Sequence, residues 1–201
     1  MNLETAIILA HGAGQGMDSP FMSYFHAELQ KRGFHSVRFN FEYMNANRRV
    51  PDPLPKLQAR YRAVIEDVLK QHRPKRLIIG GKSLGGRVAS TIAAGIPEVG
   101  GLIFLGYPLH PPGKPDRLRD QHLYSLHIPM LFISGSKDPF AEKALLESVV
   151  HKIGANATLQ WIESGDHSLK TRRGGTESLA VALDAIVHWI EGNVSHCSGG
   201  L

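Results

Sequence analysis

The segment that decides how this 201-residue chain folds is residues 75–87, KRLIIGGKSLGGR. Its first part, Lys75 to Gly80, has the length and apolar, β-branched character of a buried strand. A helix is predicted to open directly after Ser83. Between them lies Gly81-Lys82-Ser83-Leu84-Gly85, a G-x-S-x-G pentapeptide in a strand-to-helix context. Glycines two before and two after the serine permit backbone approaches at which a Cβ would clash. Ser83 is then expected at the helix N-terminus, in a strained conformation with its oxygen exposed. The same residues also suit a glycine-rich helix cap with Ser83 as an ordinary N-cap, and the pentapeptide alone does not separate the two readings.

Two competing glycine motifs fail on particular positions. Gly81-Lys82-Ser83 resembles the end of a phosphate-binding Walker loop, but the glycine required at position 76 is Arg, inside the strand. Without it there is no long loop of N–H groups to wrap a phosphate. Gly12-Ala13-Gly14 resembles the start of a dinucleotide fingerprint, yet its third glycine would fall on Met17. The second strand also ends without an acidic residue aimed at a ribose, although Glu42 lies nearby.

Outward from the elbow, apolar runs alternate with amphipathic stretches along the whole chain. Strands are predicted at Thr5 to Ala10, His35 to Phe41, Lys75 to Gly80, Val99 to Gly106, Ile128 to Gly135 and Thr158 to Ile162. Helices are predicted at about Ser19 to Arg32, Lys56 to His72, after Ser83, Phe140 to Ile153 and Thr176 to Glu191. Residues 42–55 and the proline-rich stretch from Tyr107 to Leu126 read as loops. This order predicts a three-layer α/β/α, doubly wound, mainly parallel sheet of about six strands. Residues 1–193 form one domain in this reading, and residues 194–201 a flexible tail.

The global composition is ordinary and excludes several classes. Hydrophobic residues make up 42% of the chain, and 21 Gly with 12 Pro stay well below the low-complexity range of about 25–30%. A single cysteine, Cys197, excludes a disulfide framework and a cysteine-based zinc site. The eleven histidines show no H-E-x-x-H spacing, so neither metal nor cofactor is expected. No apolar run approaches a membrane span, Glu4 sits where a secretory signal would want a Lys, and a cytoplasmic setting is expected. The formal net charge of +5 hints at anionic partners without naming one. Basic residues come in scattered pairs without interleaved aromatics, which argues against nucleic acid.

A nucleophilic serine needs a base and an orienting acid, in chain order Ser, Asp, His on this type of sheet. Asp138 falls in the turn after the Ile128–Gly135 strand, and His167 in the turn after the Thr158–Ile162 strand. Both therefore reach the same edge of a parallel sheet as Ser83. Asp138 is equally a turn residue before Pro139, and Asp166 is a rival acid.

With HGAG at residues 11–14, these segments (GGKSLGGR, GYPLHPPGKP, SGSKDPF and GDHSL) resemble the small, lidless α/β-hydrolases of the dienelactone-hydrolase-like and testis-expressed predicted-hydrolase group. The resemblance spans nearly the whole chain. It implies a minimal α/β-hydrolase fold without a cap domain, with Ser83 as nucleophile, Asp138 as acid and His167 as base. Dienelactone hydrolases use a cysteine at the elbow where this chain has serine, so their substrate is not carried over.

The resulting expectation is an acyl-enzyme hydrolase acting on esters or thioesters of small or exposed acyl groups. Leu84 and, in the His11–Gly14 turn, Ala13 are the expected oxyanion donors. Met17, Tyr107 and Phe140 are candidate liners of the substrate site, each equally explained as packing. Arg48, Arg49, Arg87 and the group Lys170, Arg172 and Arg173 could attract an anionic substrate or a protein partner, although a solvated basic face is the plainer explanation. A non-catalytic binding or complex-forming module on the same fold is the alternative.

Overall fold

Alternation along each strand divides the core into two halves. A computed structural model describes residues 4–172 and 176–194. Its strands are β1 (Thr5–Ala10), β2 (His35–Phe39), β3 (Arg76–Lys82), β4 (Val99–Leu105), β5 (Met130–Gly135) and β6 (Ala157–Ile162). Ala6, Ile8, Ile79, Phe104 and Phe132 point to one side of the sheet, whereas Ile7, Leu9, Ile78, Ile103 and Leu131 point to the other. Both faces are therefore apolar and both need cover.

Helices provide that cover in two sets. α1 (Pro20–Lys31) lies over the Ile7 side, opening on Ser19, whose Oγ accepts the Met22 N–H. α2 (Glu42–Asn45) is a single turn within the stretch expected to be a loop. α3 (Leu54–His72), α4 (Leu84–Ile92) and α5 (Lys143–Ile153) cover the Ile8 side, and α6 (Glu177–Val194) joins α1 on the first. The result is the three-layer α/β/α sandwich expected from the order of elements.

The sheet order is β2-β1-β3-β4-β5-β6, with every neighbouring pair parallel. The chain thus builds outward from β1 to β2, then returns to lay β3 on β1's other side. A crevice opens at such a reversal, at the carboxyl ends of the strands. Here Ala10, the last residue of β1, pairs with Gly81. The motif turn after β3 and the HGAG turn after β1 consequently share that crevice.

The expected boundaries shift in a few places. Asp138 Oδ1 accepts the Phe140 N–H at 2.8 Å and delays α5 to Lys143. The 107–126 segment contains a 3₁₀ turn at Gln121–Ser125 and is tied into the core by Leu109, Leu123 and Leu126. α6 runs one residue past the expected domain limit, and residues 195–201 lie outside the described part of the chain. Among the described residues no helix is long and apolar enough to cross a membrane.

One buried hydroxyl secures the seam between β1 and β3. Tyr61 of α3 is fully buried; its Oη accepts the Gly80 N–H at 3.0 Å and faces the carbonyls of Ile8 and Gly80 at 2.8 and 2.7 Å. Burial pushes the phenol well above its usual range, so it stays protonated and able to donate. Removing the oxygen leaves the Gly80 N–H without that acceptor. Tyr61→Phe is predicted to lower stability by about 1–3 kcal/mol in urea unfolding, whereas an unchanged midpoint would mean the hydroxyl is dispensable to the seam.

Candidate active site

The elbow adopts its shape because two glycines let α4 start against the backbone of β1. A Cβ added at Gly81 or at Gly85 would run into the Ala10 carbonyl oxygen. Between them Ser83 sits at φ 48° and ψ −112°, in the positive-φ region that residues with a Cβ rarely enter. Its N–H donates to the Leu105 carbonyl at 3.1 Å, and its carbonyl accepts from Arg87 at 3.1 Å. Ser83 precedes α4 as its cap residue, but the side chain makes no capping bond. The oxygen points elsewhere.

It points to His167, whose Nε2 lies 2.8 Å from Ser83 Oγ. The other ring nitrogen, Nδ1, lies 2.7 Å from Asp138 Oδ2, and the Asp138 side chain is fully buried. The rival acid is occupied locally, because Asp166 Oδ1 accepts the N–H groups of Ser168 and Lys170 at 2.7 and 3.0 Å. Asp166 thereby shapes the turn that presents His167. Leu169 completes that turn at φ 60°, with its side chain fully buried. The Phe140 ring stands against the imidazole, centroids 4.3 Å apart.

The HGAG turn lies beside the elbow: a Cβ on Gly12 would sit 3.6 Å from Ser83 Cβ. His11 is fully buried, and burial lowers its pKa, so the ring is neutral at neutral pH. Its Nε2 accepts the Phe41 N–H at 3.1 Å, which leaves the proton on Nδ1 to be donated to the Gly12 carbonyl at 2.7 Å. Tyr43 Oη approaches the same carbonyl at 3.5 Å. In a trans peptide the next N–H, that of Ala13, points opposite to this carbonyl. Leu84, the first residue of α4, carries an N–H with no intrahelical acceptor, at the positive end of the helix dipole.

The expected substrate liners separate on inspection. Phe140 borders the imidazole, half-buried. Met17 is half-buried on the β1–α1 connection, its N–H bonded to Asn40 Oδ1 and its carbonyl to Arg38. Tyr107 does not line an open surface: it is 1% exposed, its ring packs on Phe104 and Phe132, and its hydroxyl donates to the Arg119 carbonyl at 2.7 Å. The core needed its ring at that position more than a surface did. Among the basic residues, Arg48 pairs with Asp52 at 2.8 Å, and Arg173 lies outside the described residues.

Two residues of the site carry no motif signal. Gly106, at φ 69° just past β4, lies beneath the histidine, and a Cβ there would come within 2.8 Å of the His167 carbonyl and 3.4 Å of its Nδ1. A glycine at a strand's carboxyl end beside the other loops was the available hint. Lys82, inside the pentapeptide, is 7% exposed and donates from Nζ to the His167 carbonyl and to Ser168 Oγ, both at 3.1 Å. Burial draws its pKa down to about 8, against the opposing pull of Asp138 and Asp166.

Solved structures share this architecture at low sequence identity. A serine hydrolase without lid from Xanthomonas campestris superposes with TM-score 0.76 at 22% identity, over 94% of this chain and 84% of that one. A dienelactone hydrolase from Anabaena variabilis gives 0.74 at 21% identity, over 94% and 86%. The esterase domain of a Rhodothermus marinus protein gives 0.70 at 16%, over 94% and 86%. Residues 3–194 match the family described as alpha/beta hydrolase domain, and with that nearly complete coverage the chain belongs to this family.

Proposed function

We propose that this protein is a serine hydrolase that cleaves esters or thioesters of small or exposed acyl groups through an acyl-enzyme. The observation that carries this reading is the chain Asp138 Oδ2–His167–Ser83 Oγ, at 2.7 and 2.8 Å, with the serine strained at the head of a helix. His167 takes the Ser83 proton on Nε2 as Oγ bonds to the substrate carbonyl carbon. Asp138 keeps the other imidazole proton on Nδ1. The N–H groups of Leu84 and Ala13 receive the oxyanion. Collapse expels the alcohol or thiol, which takes the proton from His167. Water then adds to the acyl-serine, giving a proton to His167; the second collapse releases the acid and returns that proton to Ser83.

The preference for small or exposed acyl groups rests on the 107–126 segment. Leu109, Leu123 and Leu126 are buried in the core and tie the segment down on both sides of its exposed stretch, residues 112–118, which is too short for a cap domain. A cytoplasmic setting fits the single cysteine.

A fluorophosphonate probe is expected to label the wild type on Ser83 and to leave Ser83→Ala and His167→Ala unlabelled. A folded wild type that takes no label would transfer the assignment to a non-catalytic binding module. On p-nitrophenyl esters, His167→Ala is predicted to lose roughly a millionfold in kcat. In a series from acetate to octanoate, kcat/KM is expected to fall with chain length; a maximum at octanoate contradicts the open site. His11→Ala frees the Gly12–Ala13 peptide and is expected to lower kcat by about 10- to 100-fold with little change in KM. A KM effect alone would mean that His11 serves binding instead.

A further inference from the structure

The mechanism above makes no use of Lys82, which belongs to the elbow pentapeptide and is buried against the turn that carries the base. A buried ammonium is costly unless something holds it, and an apolar residue would pack there at less cost. Among the described residues no carboxylate lies at ion-pair distance from the Lys82 ammonium. Its partners are the carbonyl of His167 and the hydroxyl of Ser168, each at 3.1 Å, with the Phe21 ring of α1 on another side at 4.7 Å. Asp138 from the β5–α5 turn and Asp166 from the histidine turn attract the charge from farther away, and Lys170 of that turn repels it. The stem rests near the HGAG turn, where a Cβ on Gly12 would be 3.5 Å from Lys82 Cγ.

That arrangement is a strap between two elements that must stay in register. Lys82 immediately precedes Ser83, and its strand is fixed on both sides by β1 and β4. His167 stands on the Asp166–Lys170 turn, shaped by Asp166 and anchored by Leu169. The strap joins the backbone of the second to the side chain of the first. We propose that Lys82 is a positioning residue: its ammonium ties the backbone of His167 to the strand that carries Ser83, and loss of its proton slackens that tie. The inference rests on the reading of Ser83 and His167 as nucleophile and base, and it adds a control on that site by alkaline pH. An ammonium offers three donors and full charge to the carbonyl and hydroxyl, whereas the neutral amine offers two weaker ones. The charged form prevails below pH about 8 and is lost above it.

Two readouts, taken on the full chain, test this. One is hydrogen exchange at the amides of Ser168, Leu169 and Lys170, corrected for the intrinsic pH effect. The other is the rate of fluorophosphonate labelling of Ser83 between pH 6 and 10. In Lys82→Met, exchange at these amides is expected to rise about tenfold at pH 7 and labelling to slow by about 10- to 100-fold. The thermal midpoint should not fall, because the variant no longer buries a charge. The wild type should show the same rise in exchange and a drop in labelling as pH passes about 8, a step absent from the variant. Wild-type exchange that stays flat through this range overturns the proposal, and this arm needs no variant to fold. A variant with the wild-type labelling profile overturns it too. If the wild type takes no label, the hydrolase reading fails, and the exchange arm still decides whether Lys82 straps the turn.

Discussion

Ser83 is held at a positive φ that a residue with a Cβ adopts only when its surroundings force it, at a cost of about 1–3 kcal/mol. The force comes from contact between backbones. β1 and α4 meet so closely at Ala10 that neither Gly81 nor Gly85 has room for a side chain. Given that contact, the chain can leave β3 and enter α4 only through a single sharp residue, and the serine oxygen has nowhere to go but outward from the carboxyl edge of the sheet. The sheet reversal between β1 and β3 brings the HGAG turn alongside, and β5 and β6 deliver Asp138 and His167 to the same edge. Much of the site is thus a consequence of one tight packing requirement.

This explains why so much of the molecule is legible in its sequence. Period-two and period-3.6 patterns report burial on sheets and helices, and here both faces of the sheet are covered, so apolar runs such as TAIILA and LIFL stand out. Ser83, Asp138 and His167 are legible because each must follow a strand end, a position that topology makes equivalent across a parallel sheet. Tyr107 shows where that logic stops: it also follows a strand end, but its ring turns inward to Phe104 and Phe132. Direction of a side chain depends on the local backbone, and Gly106 at φ 69° redirects the chain there.

The contacts of His11 and Lys82 escape pattern reading for a related reason. Each acts on a backbone carbonyl of another turn or its own, and a carbonyl has no signature in the sequence. His11 holds the Gly12 peptide, and Lys82 holds that of His167. Both are polar groups buried beside the strained serine. Their cost in desolvation is offset by hydrogen bonds that only this arrangement of loops supplies. The net charge of +5 is not explained by them, since Lys82 is one cation among 23 Lys and Arg residues.

The most direct test of the account is to trap the intermediate itself. The protein would be mixed with p-nitrophenyl acetate, quenched in acid within milliseconds to seconds, digested and examined by mass spectrometry. The account predicts an acetyl group on the peptide containing Ser83, formed with the burst of p-nitrophenol and lost as turnover proceeds. Hydrolysis without an adduct in that window, or an acetyl group on Lys82 or Ser168 instead of Ser83, would contradict it.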